Sequence, residues 1–289
     1  MRSFIPIIFM TIMLMSCQTK PSGNDDSSGK AVEVTFEEIW RTDSIMKVPE
    51  SVLYDAKRDV LYVANMNRNE AGEEIGFISK LKTDGTVIDL HWIDGLIEPR
   101  GMGIYNDLLF ATDHTRLIVI DIEKGVLKEA IPVEGAVFLN DLSISENGTV
   151  YFSDMRGKKV QTYKDGEISD WIPTIDNPNG LYDEGDEILV SESGAKKVWR
   201  MNKETGEKEL VVEGFGVDGI EYTGIDDYYI ISEWAGRIHV VGNDTLHKVL
   251  DTREQEKNTA DIGYNMEEKV VYVPTFYDNR VVAYQLKIN

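Results

Sequence analysis

The sequence predicts an all-β fold, a six-bladed β-propeller whose last blade is closed by the N-terminal strand. Three observations predict it. An apolar strand ending in a small residue and then a polar one recurs six times along the chain. Each copy sits between a turn-led apolar strand and an alternating strand. No segment carries a convincing helical period.

The element that comes first has no partner in its own unit. Val34-Thr35-Phe36-Glu37-Glu38-Ile39-Trp40 is a strand ahead of unit one, while unit six ends at Asn289 with three strands. The front strand is expected to supply the missing outer position of the last blade, joining the ring and removing its free edges. Between these ends lie the repeated runs: Tyr62 to Asn65, Phe110 to Asp113, Tyr151 to Asp154, Leu189 to Glu192, Ile230 to Glu233 and Tyr272 to Thr275. Their final residues are 48, 41, 38, 41 and 42 apart, and the long first interval is accounted for by a polar, loop-like insertion from Met66 to Glu74. A turn and a short strand precede each run, as in Pro49-Glu50-Ser51-Val52 and Pro178-Asn179-Gly180-Leu181. An alternating strand follows, such as Phe77 to Leu81 or Arg237 to Val241. After it comes a turn, Thr83-Asp84-Gly85 in unit one, and a fourth strand. Six units of about forty residues with four strands each are the pattern of a propeller.

The N-terminus reads as a signal for export. Arg2 precedes an apolar run from Phe4 to Met15, too short for a permanent membrane span. Residues 1–16 are expected to be a signal peptide. Leu14-Met15-Ser16-Cys17 resembles a lipobox, with Cys17, the only cysteine, as the lipidation site. Residues 17–33 would then be the lipidated cysteine and a flexible polar tether, and 34–289 the propeller. This implies a protein of the bacterial cell envelope, extracytoplasmic, touching the membrane only through its lipid and expected to be a monomer. The net charge of −21 argues against nucleic acid as a partner and favours cations.

One repeat position, at the start of each innermost strand, holds Glu50, Arg100, Asn140, Asn179, Asp218 and Asp261. Innermost strands surround the central channel, so these side chains are expected to meet at one mouth. Asn and Asp are also common turn residues, which would explain Asn179 and Asp218 separately. A ring of carboxylates and amides would alternatively bind a hard cation. Two carboxylates ~5 Å apart repel by roughly 3 kcal/mol at an effective dielectric of 20, a penalty that a divalent cation removes.

The phrases Pro49-Glu50-Ser51-Val52-Leu53-Tyr54, Asn140-Asp141, Pro178-Asn179-Gly180-Leu181 and Val217-Asp218-Gly219-Ile220 resemble the gluconolactonase, regucalcin and luciferin-regenerating-enzyme family of six-bladed propellers. The resemblance covers nearly the whole chain after the tether. More distantly, the order Glu, Asn, Asn, Asp is similar to the calcium site of diisopropylfluorophosphatase and the paraoxonases. It implies Glu50, Asn179 and Asp218 as metal ligands, with Asn140 a further ligand or a substrate contact. Ca²⁺ is the expected ion, though Mg²⁺, Mn²⁺ or Zn²⁺ could fill such a site. The implied activity is metal-dependent hydrolysis of a small-molecule lactone or ester. Asp218 would be the catalytic base or nucleophile, and Arg100, Asn140 and Phe138 would bind substrate. Arg100 lies one blade earlier than the family's substrate arginine, and Phe138 suits a less polar ligand than a sugar lactone. Asp261 is an additional candidate in the channel.

Other sites are not readable. No Gly-x-Ser-x-Gly elbow, Gly-rich phosphate loop or His-Glu-x-x-His segment is present. His114 is expected in a surface loop, His239 away from the mouth, and His91 and His247 without partners. Trp40, Trp92, Trp171 and Trp199 are expected between blades, with Trp234 left open. The alternative function is a non-catalytic propeller that binds a ligand or protein around a structural calcium ion, because fold alone does not decide function.

Overall fold

A computed structural model describes residues 32–68, 75–243 and 245–289. The expected signal peptide, Cys17, the tether up to residue 31 and residues 69–74 of the insertion lie outside the described residues.

Among the described residues, six four-stranded antiparallel sheets succeed one another along the chain. Their innermost strands are Pro49–Asp55, Pro99–Tyr105, Leu139–Ile144, Pro178–Asp183, Ile220–Tyr222 and Gly263–Asn265. Each of the first five blades is built from consecutive strands. The sixth takes its outer strand from the front of the chain, as expected. Val34–Arg41 pairs antiparallel with Val281–Ile288, Val34 opposite Ile288 and Arg41 opposite Val282. The closure extends one residue beyond the expected start: Glu33 N donates to Asn289 O over 3.1 Å and Asn289 N to Glu33 O over 2.9 Å. The compact unit therefore begins at Glu33.

The core lies between blades, which explains why the second strand of each unit is apolar without alternation. In blade one, Tyr62 and Ala64 pack against Leu109, Ala111 and Ile118 of blade two. Leu61 and Val63 on the other face pack against Tyr272 and Ala283 of blade six. Both faces leave water, and each fully buried aliphatic side chain contributes about 1.5–3 kcal/mol. Outer strands have one wet face or two. In Val126–Pro132 nearly every residue is exposed, Val126 and Leu127 included.

The small and polar residues that end each second strand have separate tasks. The polar one holds the segment leading into the innermost strand of its own blade. Asn65 Oδ1 accepts Lys47 N at 2.9 Å, Asp113 Oδ1 accepts Ile97 N and Glu98 N at 2.9 and 2.7 Å, and Glu192 Oε1 accepts Asp176 N at 3.1 Å. The hydroxyl before it often reaches the next blade. Thr112 Oγ1 donates to Asn140 O, Ser191 Oγ to Val217 O at 2.8 Å, and Ser232 Oγ to Ala260 O at 2.8 Å. These bonds satisfy backbone groups that the ladders leave unpaired around the channel.

The Asn179-Gly180 and Asp218-Gly219 pairs are not turn dipeptides. Neither glycine has a left-handed φ. A Cβ on Gly219 would lie 2.6 Å from Asp261 Oδ1 and 2.7 Å from Ile262 N, and one on Gly180 would collide with Asp218 O. Glycine stands here because neighbouring innermost strands converge too closely for a side chain.

Candidate functional site

Pairing in the first four innermost strands breaks at one place each: between Pro49 and Ser51, Pro99 and Met102, Leu139 and Leu142, and Pro178 and Leu181. Glu50, Arg100, Asn140 and Asn179 sit within these irregularities. A bulge frees a residue from the ladder and re-aims its side chain. Together with Asp218, these four side chains line one cavity of about 500 Å³. Five of the six expected ring residues are thus brought together.

Asp261 is the exception. Its neighbour on the adjoining innermost strand of blade one is Ser51, with which it forms a parallel bridge, and Ser51 Oγ donates to Asp261 Oδ2 over 2.7 Å. Asp261 therefore stands level with Ser51 and not with Glu50. It lines a separate cavity of about 200 Å³ between the innermost strands, along with Asp141 and Glu221. The ring position of unit six belongs to Ala260, fully buried against Met66 and Phe276.

The floor of the mouth is a hydrogen-bonded row. Asn140 Nδ2 donates to Asn179 Oδ1 over 2.6 Å, and Asn179 Nδ2 donates to Asp218 Oδ1 over 2.6 Å. Asp218 Oδ2 and Glu50 Oε2 are buried without a hydrogen-bond partner. Burial pushes the Asp218 carboxyl up to about 6, against the opposing pull of Asn179. Burial, then the charges of Asp218 and Asp261, hold Glu50 well above the ordinary carboxyl range, with Arg100 opposing. Two carboxylates with unsatisfied oxygens beside two amides form a donor set that fits a hard cation. Among the described residues, no three His, Cys, Asp or Glu side chains gather in a metal-binding arrangement, so the fit depends on the amides.

Arg100 is 1 % exposed and largely committed. Nη1 donates to Leu139 O over 2.8 Å and Nη2 pairs with Glu98, leaving Nε buried and unpartnered. Its guanidinium lies 3.9 Å from the centre of the Phe138 ring. Phe138 also lines the cavity, as expected.

The remaining wall comes from a repeat position that sequence reasoning missed. The residue directly after the polar end of each second strand is Met66, His114, Met155, Ser193, Trp234 or Phe276. Met66, Met155, Trp234 and Phe276 line the cavity, as do Arg68 and Arg156. Met66 is fully buried, which removes it from the polar insertion in which it was placed. Phe276 has φ 46° and Val48, just ahead of Pro49-Glu50, has φ 54°. Both are costly conformations for such side chains, and strain of this kind gathers at functional sites. Trp234 is 44 % exposed and meets the Phe276 ring edge-on at 5.5 Å.

The histidines contribute little to the floor. His239 Nε2 is 3.0 Å from Glu233 Oε1, and His114 Nδ1 is 3.9 Å from Glu98 Oε2. His91 does have partners: it stacks on Phe77 at 4.0 Å and bonds Asp94 at 2.7 Å. Trp40, Trp92 and Trp171 pack against Tyr272, Tyr62 and Tyr151, as expected of structural tryptophans.

Fold and site together define the class: a six-bladed β-propeller with a polar-floored, apolar-walled pocket at one mouth of its channel. No family model matches the chain, and no curated protein does. Solved structures do match. A putative gluconolactonase aligns with TM-score 0.65 and 18 % identity over 89 % of this chain and 93 % of its own. A gluconolactonase from Xanthomonas campestris aligns with TM-score 0.64 and 15 % identity, covering 87 % of each chain. Virginiamycin B lyase from Staphylococcus aureus, bound to quinupristin, aligns with TM-score 0.60 and 12 % identity over 89 % of this chain and all of its own. At these identities the likeness establishes the shared propeller fold.

Proposed function

We propose that this propeller is a metal-dependent hydrolase of a small-molecule lactone or related ester, acting at the channel mouth. The observation that carries the reading is the pair of buried, unpartnered oxygens, Glu50 Oε2 and Asp218 Oδ2, beside Asn179 and Asn140. Glu50, Asn179 and Asp218, with Asn140, would hold a divalent cation, Ca²⁺ in the first instance. When bound, such an ion polarises a carbonyl and stabilises the charge that develops on its oxygen.

The chain's own residues supply the rest. A water oxygen adds to the acyl carbon, the acyl C–O bond breaks, and the departing alkoxide takes a proton to become a hydroxyl. Asp218, ionised at neutral pH, would take the water proton on an oxygen left free by the cation and return it to the alkoxide. Asn140 would orient the substrate, with Arg100 and Phe138 beside it in the cavity as further substrate contacts, and Met155 and Phe276 would keep the acyl carbon away from bulk water. The lipobox-like segment ending at Cys17 would tether this monomeric activity to a bacterial envelope membrane on an extracytoplasmic face, periplasmic or surface.

The exposed edge of Trp234, with Tyr277 at 6.1 Å, favours a second reading, a ligand-binding propeller with a structural cation. One experiment separates them: a panel of lactones and aryl esters incubated with the protein in Ca²⁺ or chelator, beside Asp218→Asn. Turnover that vanishes in chelator and in the variant supports the hydrolase. Absence of turnover with a Ca²⁺-raised Tm in the parent alone supports the binding propeller. A Tm indifferent to Ca²⁺ overturns the cation site.

A further inference from the structure

Resting on the hydrolase reading of this pocket, we infer that the substrate carries a carboxylate remote from the bond that is cut, and that Arg156 binds it. Arg156 is the one arginine among the described residues with no acidic partner. Arg41, Arg58, Arg68, Arg100, Arg116, Arg200, Arg237, Arg253 and Arg280 each pair with Asp or Glu. In a chain of net charge −21, with acids on every side, an unpaired guanidinium at a pocket wall is a specific departure.

Its position is fixed. The Arg156 guanidinium lies 4.4 Å from the centre of the Phe138 ring, and that of Arg100 lies 3.9 Å from the same centre. A cation–π contact with the ring makes no claim on the guanidinium N–H donors, which stay available to a planar, two-oxygen acceptor. The turn that bears Arg156 is held as well, because Gly157 N donates to Asp154 Oδ1 over 2.8 Å. Glu98 is shared between Arg68, at 3.1 Å, and Arg100, which leaves that trio with one net positive charge. Arg68, Arg100 and Arg156 line the same cavity as Glu50 and Asp218, so the pocket sets cationic wall groups beside an anionic floor. A lactone or ester with a carboxylate at one end satisfies both sides: its carbonyl reaches the floor and its anion reaches Arg156. A carboxylate, with one charge on a planar group, suits Arg156 better than a phosphate dianion, which puts two charges on one tetrahedral group.

The test uses 5-oxotetrahydrofuran-2-carboxylate and its neutral carboxamide as paired substrates. Its ring-opened product, 2-hydroxyglutarate, serves as a calorimetric ligand. The expected result is a KM at least tenfold lower for the carboxylate than for the carboxamide. Arg156→Met should remove that preference and weaken 2-hydroxyglutarate binding about tenfold, and Arg156→Lys should restore part of both. Arg156 is exposed, so these variants are expected to fold. Equal KM values for the two substrates in the parent protein overturn the inference and leave the hydrolase standing. No hydrolysis of either, with 2-hydroxyglutarate bound in an Arg156-dependent way, sinks the hydrolase and keeps the anion site. Tighter binding of inorganic phosphate than of 2-hydroxyglutarate, or product binding unchanged in Arg156→Met, overturns the carboxylate assignment.

Discussion

Asp154 Oδ1 accepts the backbone N–H of Phe138 over 2.9 Å, and the same oxygen accepts Gly157 N over 2.8 Å. Its other oxygen takes Val137 N at 2.9 Å. A fully buried carboxylate that does not line the pocket thereby sets both the Phe138 ring and the turn carrying Arg156. Asp154→Ala would leave three donors without their acceptor. Urea unfolding should show a loss of about 3 kcal/mol or more. Asp154→Asn, which keeps one carbonyl oxygen, should lose less. An alanine variant as stable as its parent would show that this carboxylate does not hold the loop.

The propeller was legible because its physics repeats. Tyr62-Val63-Ala64 and its five counterparts are apolar on both faces, a demand that only stacked sheets make so regularly. The ring was legible for Glu50, Arg100, Asn140 and Asn179, where Pro or Leu marks the bulged start of the strand. In unit six that mark is missing, and pairing begins only at Gly263. Asp261 was then placed by its residue type, one position from the true register. In a strand, one position is the opposite side. The second ring stayed hidden for a different reason. Met66, Met155, Trp234 and Phe276 share a position and a task but no chemical type that a repeat search would align. Arg156 carries no signal of its own in the sequence, since what distinguishes it is the missing acid beside it in space.

Glu50→Gln should change stability in opposite directions with and without cation. Burial and the neighbouring Asp218 and Asp261 make ionised Glu50 costly in the folded chain. The neutral amide removes that cost, so in chelator at pH 8 the variant should melt higher than its parent. With Ca²⁺ added, the parent should gain and the variant should not. Thermal melts in both buffers check this, and a variant that melts lower in chelator would mean that Glu50 is not under electrostatic stress.

Closure of the ring should be visible in Trp40. Its Nε1 donates to Thr83 O over 3.0 Å, its ring lies 5.9 Å from Tyr272, and a Cβ on Gly85 would come within 2.7 Å of it. The side chain thus bolts the front strand, blade six and a turn of blade one together. Trp40→Ala should cost about 3 kcal/mol, which for a chain of this size lowers Tm by roughly 6–12 °C. Calorimetry of the variant is the check. A loss no larger than that of an exposed substitution such as Ile39→Ala would show that the seam is held elsewhere.

The buried carboxyls also set a pH dependence. Asp218 is raised from 3.8 to about 6 and Asp261 from 3.8 to about 7, in each case first by burial. Between pH 4 and 7 the folded chain therefore holds protons that the unfolded chain has released. Stability falls as pH rises through that window, by about 3 kcal/mol for Asp218 alone. Surface acids whose pKa is lowered, such as Asp107 beside Lys57 and Asp121 beside Lys124, act with the opposite sign, and only below about pH 4. Urea midpoints in chelator should thus decline from pH 4.5 to 7. A cation held by Asp218 competes with its proton, so the gap between the Ca²⁺ and chelator curves should widen over the same range. Midpoints that rise in chelator would mean that these carboxyls are hydrated in the folded protein. A gap that is constant with pH would mean that the ion binds away from Asp218.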